Sequence, residues 1–288
     1  MNEAVLDMFG KYSINSSKDA ENALKEIIQE ITLLGLHRAN FFEKAAFYGG
    51  TALRILYGLS RYSEDLDFTL FESNKKFSLE SYFAAVKTEL KSYGFDVKIE
   101  SINKAIPSPI ESAFIKANTK IHLLKIQNIK PLGKHVQENS KLQIKFEVDT
   151  DPCLAFDYET KYLLEPTSFP IICLKKPDLF AGKIHALLFR KWKNRVKGRD
   201  FYDFVWYLKN QIPVKLNYLN AKSIQSGHIK FLGFNSVKDL QIALNKKFES
   251  VDFEKAKSDV LPFIKNPNEI NYWSVDYFKQ LTENIKAI

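Results

Sequence analysis

The 288-residue sequence predicts an α+β protein: a lobe built on a mixed sheet, followed by a helical C-terminal lobe. Three observations predict it. Helix-length amphipathic stretches and short alternating strands interleave up to about residue 150. The character changes across Pro166–Pro177, after which only helical periodicity is visible. No internal repeat, low-complexity linker or apolar run approaching a membrane span interrupts the pattern. The boundary falls near residue 170, giving lobes at 1–170 and 171–288.

The elements follow in order. Residues 17–38 carry Ile27, Ile28, Ile31, Leu34 and Leu36 along one side, with Ser16 or Ser17 as cap, and read as an amphipathic helix. Ala45–Tyr48 reads as a short buried strand ending at Gly49-Gly50, and Thr51–Tyr57 has helical character. Asp65–Phe71 alternates as a strand does. Ser78–Tyr93 is a helix stopped by Gly94. Phe95–Ser101, roughly Phe114–Ile126 and Leu142–Asp149 are strands. Beyond the boundary, helices are expected over Asp178–Lys193, Asp200–Lys209, Val237–Phe248, about Asp252–Phe263, and Ser274–Ile285.

Composition narrows the function. Hydrophobic residues make up 45% and charged residues 26%, a globular balance. The net charge of +8 favours a polyanionic partner, since Lys and Arg gain by displacing phosphate counterions. Cys153 and Cys173 make no disulfide framework, which fits a reducing cytoplasm. The N-terminal stretch lacks the pattern of a signal peptide. The five histidines show no zinc-binding spacing.

The chemistry concentrates in "FYGGTALRILYGLSRYSEDLDF". Asp65 and Asp67 share a strand face, while Leu66 and Phe68 take the other. Two carboxylates so close repel unless a cation lies between them. Mg²⁺, or Mn²⁺ in its place, does this well, bound by one or two carboxylates with phosphate oxygens and waters. Gly49 and Gly50 permit a sharp turn and a close ligand approach. The N–H groups opening the helix at Thr51 would face that ligand, and a helix N-terminus favours an anion. Arg54, one turn further, is counted with the same nucleotide-binding group. In "LQIKFEVDT", Glu147 and Asp149 share a face, and either is a candidate third acid.

In the second lobe, Lys183 stands between Leu179 and Leu187 on a largely apolar helix face, and a triphosphate would suit it as a partner. Asp200 opens a helix as either a cap or a functional acid. Asp203 lies one turn on and could anchor Arg199. "RKWKNRVKGR", residues 190–199, holds six Lys or Arg around Trp192. It reads either as a solvated face or as an RNA-tracking segment through Lys191, Lys193, Arg195 and Lys197.

The Gly-Gly turn followed by Asp-x-Asp resembles the nucleotidyltransferase signature. Arg61-x-Ser63-x-Asp65-Leu66-Asp67 resembles, more narrowly, the AbiEii/AbiGii abortive-infection toxins of the polymerase-β-like superfamily. "AGKIHALLFR" is similar to that family's Lys-Leu-x-Ala-Leu helix and places Lys183 at its lysine. "KGRDFYDF" is similar to its Arg-Asp-x-x-Asp motif and places Arg199, Asp200 and Asp203. Fourteen residues separate Gly50 from Asp65, a little more than is usual there, and Gly50 stands where many relatives have Ser. The motifs span roughly residues 47–207, and the last 80 residues carry none.

The resemblance implies a polymerase-β-like fold and a type IV toxin–antitoxin toxin. Such a toxin uses a nucleoside triphosphate and Mg²⁺, and has a cognate antitoxin acting on the protein or its promoter. It implies Asp65, Asp67, Lys183 and Asp200 as catalytic residues, working across a cleft between the lobes. Relatives transfer nucleotides to RNA, notably tRNA acceptor ends, or bind GTP. The alternatives are a nucleotide- or RNA-binding module without turnover, and nucleotidylation of a protein or small molecule.

Overall fold

The computed structural model describes residues 2–102, 108–118, 141–191, 195–230 and 233–288. They divide into two compact units. The first comprises Met1–Tyr57, Tyr62–Pro152 and Thr160–Cys173; the second comprises Gly58–Arg61, Cys153–Glu159 and Leu174–Ile288.

The first unit is organised by a seven-stranded mixed sheet. Its strands are β1 (Ala45–Tyr48), β2 (Leu66–Leu70), β3 (Val97–Ser101), β4 (Ile110–Asn118), β5 (Lys141–Asp149), β6 (Tyr158–Leu163) and β7 (Phe169–Leu174), in the order β3-β4-β5-β2-β1-β7-β6. β2 runs antiparallel to β1 and parallel to β5. β1 and β7 are parallel, and β3, β4 and β5 form an antiparallel meander. The expected strand over Phe114–Ile126 begins four residues earlier, and its portion beyond Asn118 lies outside the described residues.

Alternation positions the acids. Leu142, Ile144, Phe146 and Val148 of β5 are buried, while Lys145, Glu147 and Asp149 between them are half-buried. Leu66 and Phe68 of β2 are buried in the same way, on either side of half-buried Asp67. The buried face supports an aromatic core in which Phe68 stacks on Phe47 at 5.1 Å and meets Phe41 edge-on at 4.9 Å.

Helix α1 (Glu3–Gly10) was not evident in the sequence. α2 (Ser17–Arg38) is capped by Ser16, whose hydroxyl accepts from the Asp19 N–H. It is less amphipathic than its periodicity predicts: Asn22, Lys25, Glu26 and Gln29 are buried along with the Ile/Leu side. Ion pairs from Lys25 to Glu64 (3.2 Å) and from Glu26 to Arg54 (2.7 Å) make this tolerable. α3 (Gly49–Tyr57) starts at the first glycine of the pair. The expected helix over Ser78–Tyr93 is a 3₁₀ turn at Leu79–Tyr82 leading into α4 (Phe83–Ser92).

The second unit contains α5 (Lys176–Phe189), α6 (Gly198–Lys209), α7 (Leu216–Gln225), α8 (Val237–Glu249), α9 (Phe253–Val260) and α10 (Val275–Thr282). Its core is strongly aromatic. Phe278 stacks on Phe253 at 4.8 Å and meets Phe201 edge-on at 5.3 Å, and Phe180 stacks on Tyr207 at 4.4 Å. α6 starts at Gly198, where a Cβ would lie 1.8 Å from the Ala256 carbonyl oxygen, so only glycine lets α6 pack this closely on α9. Among the described residues no helix is long and apolar enough to cross a membrane.

Candidate active site

In the first unit the turn and the acids meet. The β1–β2 register sets Tyr48 opposite Asp67, so the chain enters the Gly49-Gly50 turn beside that acid. Gly49 has φ +83°, and a Cβ there would lie 2.5 Å from Asp67 Oδ2. Glycine is therefore required twice, for its backbone conformation and for the carboxylate beside it. We expect Gly49→Ala to push the Asp67 carboxylate aside and to cost stability as well as activity. Wild-type melting behaviour and turnover in this variant would refute the close approach.

Thr51 is fully buried, and its hydroxyl donates to the Asp65 carbonyl, tying α3 to the chain just before β2. This hydroxyl is engaged with the protein rather than turned to a ligand. Arg54, expected on the nucleotide, is held by Glu26 at 2.7 and 3.1 Å and lies over the Tyr62 ring at 5.0 Å. Gly50 is the second residue of α3.

β2 begins at Leu66, leaving Asp65 at its entrance. Asp67 sits directly opposite Glu147 on parallel β5, and Thr69 opposite Asp149. Residues paired in register point to the same sheet face, so Glu147 is the acid beside Asp67, and Asp149 lies two residues further along. Glu147 accepts a hydrogen bond from the Ser112 hydroxyl at 3.0 Å and pairs with Lys145 at 2.7 Å. Among the described residues no three His, Cys, Asp or Glu side chains are arranged to hold a metal ion. The donor chemistry nevertheless suits a hard divalent cation, which needs only one or two carboxylates when phosphate oxygens and waters complete its shell.

In the second unit the expected residues gather into one buried charged network. Lys183 of α5 contacts Asp200 at 2.7 Å and Asp203 at 2.8 Å, with its side chain 15% exposed. Arg190 also pairs with Asp200. Arg61, carried into this unit by the segment Gly58–Arg61, binds Asp203 through two parallel hydrogen bonds of 2.6 and 2.7 Å. Burial opposes the Lys183 ammonium, yet Asp200 and Asp203 raise it above its ordinary pKa. Burial likewise opposes the Asp200 carboxylate, but Lys183 and Arg190 hold it below the usual range. Three cations against two carboxylates leave this network one positive charge in surplus.

Asp200 is not the helix cap: Lys197 holds that position and makes no side-chain cap bond. Asp203 anchors Arg61, and Arg199 stacks over Phe263 at 4.3 Å. Arg61 is the network member that motif matching alone left without a role. The basic segment is only partly engaged within the protein. Arg195 pairs with Asp259, Lys197 precedes α6, and Lys191 is exposed. Trp192 and Lys193 lie outside the described residues.

A mixed sheet followed by a helical unit, with a glycine turn against Asp67, is the setting in which the family match places a nucleotidyltransferase. The chain belongs to the AbiEii family: residues 31–280 match the family model described as nucleotidyl transferase AbiEii toxin, type IV TA system. The match runs past residue 207, into the region where no motif was visible. No curated protein matches the sequence. Among solved structures, the chain is similar to a presumptive nucleotidyltransferase from H. pylori, with 17% identity over 88% of each chain and a TM-score of 0.47. It is also similar to JHP933 from Helicobacter pylori, with 16% identity, 91% of this chain and 88% of the other covered, and a TM-score of 0.48.

Proposed function

We propose that this toxin transfers a nucleotide from a nucleoside triphosphate to an RNA acceptor, with the tRNA 3′ end as the favoured substrate, in the cytoplasm and under the control of a cognate antitoxin. The observation that carries the reading is Asp67 standing beside Glu147 with Gly49 held against its carboxylate. Asp65 and Asp67 would hold Mg²⁺ or Mn²⁺, with Glu147 the nearer third acid and Asp149 the more distant one. A bound divalent cation supplies charge neutralisation at the phosphates and lowers the pKa of the attacking hydroxyl.

The chain's own residues do the rest. The α3 amides offer donors to phosphate oxygens. The network of Arg61, Lys183 and Arg190 with Asp200 and Asp203 has one surplus positive charge suited to a triphosphate, and Arg190 shares Asp200 with Lys183. Asp200 holds the Lys183 ammonium in place, and Asp203 does the same while fixing Arg61. The net charge of +8 favours RNA over a neutral acceptor.

The test is incubation with each radiolabelled nucleoside triphosphate and Mg²⁺, with purified tRNA, bulk RNA and cellular protein in separate pools. Label is expected in the RNA pool alone and at the 3′ terminus. Label in protein would replace the RNA acceptor with a protein one. Triphosphate binding with no label in any pool would mean a binding module without turnover.

A further inference from the structure

The end of α5 and the residues after α7 and α8 surround an open-sided pocket of about 520 Å³ that the catalytic motifs do not explain. This lies within the range of about 300–1,000 Å³ usual for small-molecule sites. Phe189, Arg190, Lys191, His228, Lys247 and Ser250 are among its lining residues, and among the described residues no carboxylate lines it. Three cations therefore face one space within a protein that is already basic. Lys247 donates to the Arg190 carbonyl at 3.3 Å, which fixes its ammonium at the pocket, and burial lowers its pKa. Arg190 joins the pocket to Asp200.

The rest of the lining is aromatic. His228 lies 4.6 Å from Phe189 and is exposed. His185, just behind it, lies nearly parallel at 5.6 Å, with an interplanar angle of 13°, and bonds the Ser226 hydroxyl at 2.9 Å. Burial, then Lys222, His228 and Arg190, lower His185 to a pKa of about 4, so it is a neutral ring at pH 7. A simple anion would use the cations and leave the rings idle. An apolar ligand would do the reverse. A phosphate joined to a planar heterocycle uses both.

We propose that this pocket binds a nucleoside phosphate, with the phosphate on Lys191 and Lys247 and the base extending the His185–His228 stack. Two sources share that chemistry: one unit of a single-stranded RNA, and a free mononucleotide. The first rests on the RNA-acceptor reading given above; the second does not. As a unit of RNA, the bound nucleotide would hold the acceptor strand beside Arg190, one ion pair from Asp200.

The experiment measures a fluorescent five-nucleotide RNA by anisotropy, and adenosine and uridine monophosphates by calorimetry. Both are run on the full-length chain and on His228→Ala, Lys191→Gln and Lys247→Gln. His228 and Lys191 are exposed, so these substitutions disturb only surface contacts, and thermal melts of each variant check that the fold is kept. His228→Ala is expected to weaken binding at least about fivefold through lost stacking. The two lysine changes together are expected to flatten the slope of log affinity against log salt by about 1.4 for a single strand. Losses seen with the oligonucleotide alone assign the pocket to an RNA strand, and losses seen with the mononucleotides assign it to a free nucleotide. Equal binding of both ligands by wild type and all three variants overturns the proposal, as does failure of the wild type to bind either. If RNA is still labelled in the transfer assay, the RNA reading survives that result. If His228→Ala loses mononucleotide binding while no RNA is ever labelled, the pocket stands and the RNA reading fails.

Discussion

Asp67→Asn is expected to lower nucleotide transfer by on the order of a thousandfold while the protein melts close to the wild-type temperature. The two halves of this result have one cause. Asp67 lies opposite Glu147 in the β2–β5 ladder and follows Asp65 by two residues, so the carboxylate belongs to a crowded acidic face. Without a cation, Asp67 stands beside a Glu147 that Lys145 already pairs, so neutralising Asp67 costs the fold little. With a cation and triphosphate bound, the same carboxylate would serve as a ligand, and losing several kcal/mol of transition-state charge stabilisation would cost about three powers of ten in rate. Asparagine keeps the volume beside Gly49, so the turn is undisturbed. Initial rates with labelled triphosphate, together with a thermal melt of the same preparation, check both halves. Normal turnover in soluble Asp67→Asn protein would remove this face from the chemistry. Loss of rate accompanied by a large fall in melting temperature would make Asp67 structural.

What the sequence makes legible is whatever a local period encodes. β2 and β5 can be read because burial every second residue leaves a visible alternation, and that alternation alone places Asp67 and Glu147 on the exposed side. α2, α6 and α8 can be read from helical spacing. β6 and β7 cannot. In β6, YETKYL, the exposed and half-buried positions hold Tyr, Glu, Thr and Lys, as suits a sheet edge but equally a loop. In β7, FPIICL, Pro170 argues against a strand, yet β7 is tied to the sheet by its pairing with β1 at Cys173. The amphipathic reading of α2 fails for a different reason: Lys25 and Glu26 become acceptable inside only once Glu64 and Arg54 reach them from elsewhere in the chain. The second-unit network follows the same rule. Lys183, Asp200 and Asp203 are visible as motif residues, and so is Arg61, but nothing local shows that Arg61 pairs with Asp203, 142 residues away.

That distant partner gives the second large effect. Arg61→Ala is expected to destabilise the protein by about 3–5 kcal/mol, the usual result of removing one member of a buried ion pair. Arg61 is 3% exposed at its side chain and Asp203 is 0%. Removing the guanidinium strands a carboxylate that has no access to water, and Asp203 then keeps only Lys183, which it shares with Asp200. The surplus positive charge is lost as well. Five side chains with one net positive charge become four with none, because Lys183 and Arg190 now face Asp200 and Asp203. Triphosphate affinity should therefore fall in whatever fraction remains folded. Arg61→Lys restores the charge but not the two parallel hydrogen bonds of the guanidinium, so it should recover nucleotide affinity more fully than stability. The double variant Arg61→Leu with Asp203→Leu removes both charges together and should be far less destabilised than either single change, because no buried charge is left unpaired. Urea denaturation of the four proteins, with calorimetric titration of nucleotide for those that fold, separates the two roles. If Arg61→Ala unfolds at the wild-type urea concentration, the pair contributes nothing to the fold. If its nucleotide affinity is also unchanged, the positive surplus of this network does not serve the triphosphate.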